Sequence, residues 1–384
     1  MVMKRMMLYA ASVAAVCCML SCAQQDTPPQ EGSKTGFALS FFKQVNRNSA
    51  PSDNVVVSPY SAGVALSMLT EGALGQTKAE LDNALNGCLF KGQVPDGGDS
   101  VVVKSANSVW VNDGFKVRDR YVDLLQTDYQ AQVENRSFSD PATVRAINKW
   151  CSDNTEGKIE GIIDELTPAD VMVLINALYF NAPWEEKFDP MLTSKADFHG
   201  VGSVAEVDMM YRKGRYNYVE FQGCQMIELP YLGSTYSMFV VLPPEGMDVN
   251  ALIPYVNEYI YDEAMSMLEP TEVKFRMPKV KLETEMVLND ALKNMGVKKA
   301  FSDADFRGIS AMGPLVVSQV KQKCYIDVAE SGTEAAAVTS VMVRLTSVRP
   351  ETDVKTMTVD RPYVFFIADR ENSDILFAGK IVNL

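Results

Sequence analysis

Phe37, Phe41, Phe42 and Val45 recur at helical spacing, which predicts a helix over residues 36–46 with one apolar face. NVVVSPYSAGVALSML then reads as a short strand, a Ser-Pro helix start and a buried helix. QTKAELDNAL, YVDLLQTDY and ATVRAINKWCSDN carry further helical patterns, and VVVKSANSVWVND reads as a strand. DVMVLINALYFNAPW is almost wholly apolar, as expected of a central strand covered on both faces. Residues 204–244 hold several strand candidates, YSMFVVLPP among them, and NDALKNMG is a helix closed by Gly296. VVSQVKQKCYIDVA is a strand, and PYVFFIADRENSDILFAGKIVNL is a hairpin of two apolar strands around a polar turn. Helices dominate the first half and strands the second, which predicts an α+β domain with large sheets.

One stretch resists this reading. In ESGTEAAAVTS, residues 330–340, Thr333 is a fair N-cap and the alanines favour helix, yet the chain turns β-branched from Val338. Nothing large and apolar anchors either form.

Composition narrows the class. The chain has 384 residues, 47% of them hydrophobic, enough for one large core or two, and a net charge of −13 that argues against a nucleic-acid partner. At the N-terminus, Lys4 and Arg5 precede an apolar run over residues 6–20, too short to span a bilayer comfortably. The following MLSC resembles a bacterial lipoprotein signal, with Cys22 as the lipid-bearing residue and Met19 where Leu is usual. An ordinary secretory signal cut near Ala23 is the alternative. The expectation is a signal over residues 1–21, a polar Pro- and Gly-containing tether over 22–36, and one domain over 37–384. Such a protein is exported and lipid-anchored in the bacterial cell envelope, on its periplasmic or surface face. Cys88, Cys151, Cys224 and Cys324 show no metal-ligand spacing, and their apolar contexts suggest free, buried thiols.

The enzyme reading is weak. The single histidine, His199, sits in KADFHG, a setting typical of a surface residue at a strand end. No GxSxG, HExxH or phosphate loop is present, so neither a catalytic residue nor a metal or cofactor site is assigned. Acidic residues are plentiful, but no carboxylate pair stands out.

Six motifs, in order, give the chain a family resemblance. SPYS (58–61), TEGKI (155–159), NALYFNAPWEEKF (176–188), FSDADFRGIS (301–310), VAESGTEAAAVT (328–339) and RPYVFFIADRENSDILFAGKI (361–381) are similar to the signature segments of the serpins. The resemblance spans essentially all of residues 37–384. It implies three β-sheets, eight or nine helices and an exposed reactive-centre loop at about residues 330–361. It also implies a metastable, monomeric inhibitor that traps serine proteases, and cysteine proteases as a further class, as acyl-enzymes. The cut loop then inserts as a new strand into the largest sheet.

The hinge residues Glu330, Gly332, Thr333, Glu334, Ala335, Ala336, Ala337 and Thr339 suit that role. Pro is absent from 331–349, so every residue can donate to a ladder, and Thr333, Ala335, Ala337 and Thr339 put small side chains on one face. Glu334 falls on the other. By match to the family, Glu330 and Trp184 fall in the breach at the top of the opening sheet. Ser58, Ser61 and Asn176 fall in the shutter beneath its centre, where core satisfaction is the plainer role and Ser58 is also a helix cap. Gln322 stands where the family usually has His, which removes any pH-sensed shutter at that residue. Taking Glu330 as the seventeenth residue before the cleaved bond puts that bond at Thr346–Ser347. Val343, Arg344 and Leu345 are alternatives suited to elastase-, trypsin- or subtilisin-like enzymes. A non-inhibitory serpin acting as a carrier or binding protein is the rival reading.

Overall fold

The computed structural model describes residues 32–91, 101–333, 354–371 and 374–384. Among these are eight α-helices: α1 (Lys34–Arg47), α2 (Pro59–Gly72), α3 (Gly75–Ala84), α4 (Asp119–Tyr129), α5 (Pro141–Asn154), α6 (Val249–Leu252), α7 (Glu258–Ser266) and α8 (Asn289–Asn294). Strands of the first half are β1 (Val55–Val57), β2 (Val102–Asn112), β3 (Gln132–Arg136) and β4 (Met172–Pro183). Then follow β5 (Ser194–His199), β6 (Val204–Phe221), β7 (Cys224–Pro230), β8 (Tyr236–Leu242), β9 (Glu269–Pro278) and β10 (Val280–Val287). The last are β11 (Gln319–Ala329), β12 (Gly332–Thr333), β13 (Lys355–Thr358), β14 (Tyr363–Asp369) and β15 (Ile375–Ile381).

The α+β expectation holds, and hydrogen bonding joins the strands into two sheets. The larger has nine strands in the order β1-β15-β14-β8-β7-β6-β9-β13, with β5 paired to β6. The 18-residue β6 makes it continuous: its first half pairs with β5 and its last residues with β7, so what the resemblance counts as separate sheets share one strand. The second sheet has six strands in the order β10-β11-β12-β4-β2-β3.

The buried face of this six-stranded sheet meets α2, whose sequence explains its placement. Ser58 caps it by accepting from the Ser61 N–H at 3.1 Å, Pro59 occupies the first turn, and nearly every residue along it is buried. The opposite face lies under α5, where Ile147 and Cys151 pack with Trp110, Val173, Ile175 and Ala177. Alternate residues of β4 therefore enter different cores, the physical basis of its unbroken apolar run. The TEGKI segment closes α5: Thr155 donates to the Cys151 carbonyl at 2.9 Å and accepts from the Ile159 N–H at 3.1 Å.

His199 is exposed at the end of β5, as its sequence context suggests. The four described cysteines are free thiols. Cys151 and Cys324 are buried as expected, but Cys88, in the chain after α3, and Cys224, the first residue of β7, are only half-buried.

Candidate functional site

Two clusters meet on the six-stranded sheet. In its lower half β4 and β11 are direct parallel neighbours, from Gln319 opposite Val173 to Cys324 opposite Leu178. Above Cys324 they part, and β12 occupies the gap. Thr333 lies opposite Val328 on β11 and Ala182 on β4, and Gly332 opposite Ala329 and Pro183, both ladders being antiparallel. The segment that the sequence leaves between helix and strand thus begins as a strand, wedged into the top of a sheet.

The residues around the wedge explain its seat. Thr333 is 2% exposed, and its hydroxyl lies 2.6 Å from the Tyr231 hydroxyl. Tyr231 in turn stacks on Trp184 with ring centroids 4.5 Å apart. The Trp184 indole donates to the Ala329 carbonyl at 2.9 Å, and its backbone N–H to the Ser331 carbonyl at 3.0 Å. Glu330 accepts from the Thr193 hydroxyl at 2.9 Å and pairs with Lys279 at 3.0 Å. Burial works against the Glu330 charge, but its own backbone N–H, Lys279 and Thr193 outweigh it and hold the carboxyl below its usual range. Gly332 adopts φ +151°, and a Cβ there would lie 2.2 Å from the Ala182 carbonyl oxygen. Its role is close backbone approach as much as freedom of rotation.

The lower cluster lies where β4 and β11 still touch. Gln322 and Asn176 are direct register partners, each 3% exposed. The Gln322 carboxamide accepts from the Ser58 N–H at 2.8 Å and donates to the Ser58 carbonyl at 2.9 Å, bridging the sheet to the start of α2. A neutral amide can do both at once, which is what the His-to-Gln departure supplies. Ser58 is therefore both a helix cap and the contact between α2 and Gln322 on β11. Asn176 donates to Asn107 on β2. The Ser61 hydroxyl and the Asn176 side-chain oxygen are buried with no hydrogen-bond partner among the described residues.

The structure brings Glu330, Trp184, Gly332 and Thr333, expected at the breach, together around the gap between β4 and β11, and Ser58, Ser61, Asn176 and Gln322, expected at the shutter, together below it. Glu334, Ala335, Ala336, Ala337, Thr339, the candidate bonds at Val343, Arg344, Leu345, Thr346 and Ser347, and Cys22 lie outside the described residues. Sequence reasoning missed Tyr231, Thr193 and Lys279 at the breach, because each meets the hinge across a long sequence separation. It also missed Lys323, which donates to the Gly161 carbonyl at 2.8 Å and ties the chain after α5 to β11. β11 reads QVKQKCYIDVA, with Lys321 and Gln322 directly before Lys323, so nothing in the pattern singles out Lys323 for that tie.

Comparison with known proteins agrees with this geometry. The family model described as serpin (serine protease inhibitor) matches residues 32–384. An uncharacterized serpin-like protein of Thermococcus kodakarensis is 32% identical, covering 92% of this chain and 86% of its own. Leukocyte elastase inhibitor of Sus scrofa is 31% identical, with 91% and 98% covered. Among solved structures, the thermophilic serpin tengpin in its native state superposes with a TM-score of 0.84 at 29% identity, covering 91% of this chain and 93% of its own. The family model covers nearly the whole chain. The chain belongs to the serpin family.

Proposed function

We propose that this protein is a protease inhibitor that works by inserting its cleaved reactive loop between β4 and β11. The single observation that carries the reading is the seat of Gly332–Thr333 between those strands. A target protease attacks the loop and forms an ester with its own serine. The hinge is already paired on both sides, so the next residues of the loop have a ladder to extend. The protease, still esterified, is carried away with them.

The register makes the reading specific. Thr333 faces Val328 and Ala182. Continued in the same antiparallel register, Thr339 would come opposite both Gln322 and Asn176, the residues that now face each other. Thr339 shares a strand face with Thr333, so its hydroxyl would arrive beside the unpartnered Asn176 oxygen. The alternation Thr-Ala-Ala-Thr at positions 333, 335, 337 and 339 then follows from geometry: small residues over the core, with a hydroxyl at each polar stop. Glu334 would fall opposite Asn181, a half-exposed position where a charge keeps water. A central strand of about 14 residues at roughly 3.3 Å each would carry the protease about 45 Å.

The best bond is Thr346–Ser347, with Val343, Arg344 and Leu345 as further points of attack. The targets are trypsin-, elastase- or subtilisin-like serine proteases, with cysteine proteases as a second group. The protein acts as a monomer and is not itself an enzyme. It is displayed from the bacterial cell envelope through lipid on Cys22. The test is incubation with trypsin and with elastase, followed by denaturing electrophoresis and mass spectrometry of the released C-terminal peptide. SDS-stable complexes support inhibition, and cleavage at these bonds without any complex favours the carrier reading.

A further inference from the structure

Gly32, the first described residue, lies ten residues after Cys22. The surface around it is built from the chain after α3, the first turn of α7 and the residue ahead of β15. The Cys88 thiol donates to the Gly32 carbonyl at 2.9 Å. A Cβ on Gly36 would lie 2.8 Å from the Glu258 carboxylate and 3.1 Å from the Asn86 side chain. Lys34 pairs with Asp374 at 2.8 Å. The start of α1 is thus held between two neighbours, and each carries an exposed apolar side chain. Leu89, next to Cys88, is 41% exposed, and Tyr259, next to Glu258, is 58% exposed.

We propose that this face, with Leu89 and Tyr259 flanking Gly32, rests on the lipid bilayer when the protein is anchored. The inference depends on lipid at Cys22, as proposed above, and goes beyond it by naming the surface that meets the membrane. Covalent geometry supplies the first argument. Ten residues span at most about 35 Å, whereas a domain of this length has a radius of gyration of about 20 Å and a diameter of about 50 Å. The anchor therefore brings the surface around Gly32 to the bilayer and not the far side of the domain. Side-chain chemistry supplies the second. A tyrosine presents an apolar ring and a polar tip, which suits the headgroup level, and leucine adds a purely apolar contact. Two such side chains would not hold a free protein on a membrane. The anchor keeps them at a high local concentration of lipid, so a weak preference suffices to fix orientation. Nearby charge adds no attraction: Lys34 and Lys91 are paired with Asp374 and Asp128, and Glu258 and Asp262 add negative charge. The contact is apolar and independent of salt.

The experiment reconstitutes the mature lipoprotein in vesicles of phosphatidylethanolamine with brominated acyl chains and floats them on a density gradient. Tyr259→Trp carries the fluorescent probe and Met191→Trp the reference. Met191 is 90% exposed, between Phe188 and Thr193, which both bond to Glu330. Glu330 lies about 26 Å along the β11 direction from Gln322, which touches Ser58. Tyr60, just after Ser58, packs on Phe90 beside Leu89, so the reference stands well away from the proposed face. Bromine is expected to quench at least about half of the emission that Tyr259→Trp adds and almost none of that from Met191→Trp, at low and high salt alike. Cys88, half-buried beside Leu89, gives a second readout. The vesicles are expected to slow its iodoacetamide labelling about threefold relative to Cys22→Ser, which stays in solution. Leu89→Ser combined with Tyr259→Ser, still floated by its lipid, is expected to restore the faster rate. Protein that fails to float overturns lipidation and the face with it. Protein that floats with both probes quenched alike, or with neither quenched, overturns the face and leaves the lipid anchor standing.

Discussion

Thr333→Arg is the sharpest perturbation of the hinge. The wild-type side chain is 2% exposed, packed between two strands, with its hydroxyl 2.6 Å from that of Tyr231. Removing that hydrogen bond costs about 1 kcal/mol, and burying an uncompensated guanidinium costs at least about 3 kcal/mol more. A penalty of about 4 kcal/mol lowers occupancy of this register about a thousandfold. The native fold does not depend on it, because β4 and β11 pair directly from Gln319 to Cys324 below the wedge. The variant should therefore fold and expose its loop, yet insert too slowly to outrun deacylation. The assay titrates trypsin and elastase against the variant and scores SDS-stable complex against cleaved product. The expected result is conversion from inhibitor to substrate, with complex falling below a tenth of wild type. Glu334→Arg, on the other strand face, should keep most of the activity. Thr333→Arg forming complex at the wild-type ratio would refute insertion at the β12 register.

Gln322→Ala leaves the buried Ser58 N–H without its partner, at about 1–3 kcal/mol, while the Ser58 carbonyl keeps the Ala62 N–H at 3.1 Å, and should lower the melting temperature by at least about 1 °C. Gln322→His should introduce a pH dependence that wild type lacks. Burial lowers the folded-state pKa of the imidazole below about 6.5, so its contribution is intact above that pH and lost as pH falls, readable in melts from pH 8 to 5. Glu330 has the same sign at a lower pH: its depressed pKa makes the hinge contacts with Lys279 and Thr193 stable above about pH 4.3 and lost on further acidification. Fluorescence of Trp184 should report that release, and Glu330→Gln should flatten the profile. Tyr231→Phe leaves the Thr333 hydroxyl buried without a partner, which should favour the expelled hinge by about 1 kcal/mol and speed proteolysis of residues 331–335.

Much of this was legible in the chain. The Ser58-Pro59 helix start is local chemistry, and the structure places its cap as the sequence suggests, whereas the Asp140 cap of α5 was passed over because the helical pattern was read from Ala142. The doubly buried β4 announces itself as a long apolar run. β5, β9, β10 and β13 were less visible, because half-exposed strands such as β10 alternate charged and apolar residues like any solvated segment. The hinge was located by its likeness to the serpin motif, a role that its small residues and lack of proline suit. Its anchors were not: Tyr231 lies 102 positions from Thr333, and nothing in the pattern of either residue names the other. Gln322 was flagged as a departure, but the two hydrogen bonds that make it fit depend on where α2 begins.

The central claim is that the cut loop becomes a strand. Elastase cleavage followed by complete removal of the protease, then thermal melting, tests it most directly. Insertion of about 14 residues forms about as many new ladder hydrogen bonds, worth about 1 kcal/mol each. At about 1.4 °C per kcal/mol for a domain of this size the cleaved protein should melt about 20 °C above the intact one. A cleaved protein that melts at or below the intact temperature contradicts loop insertion, and with it the inhibitory mechanism.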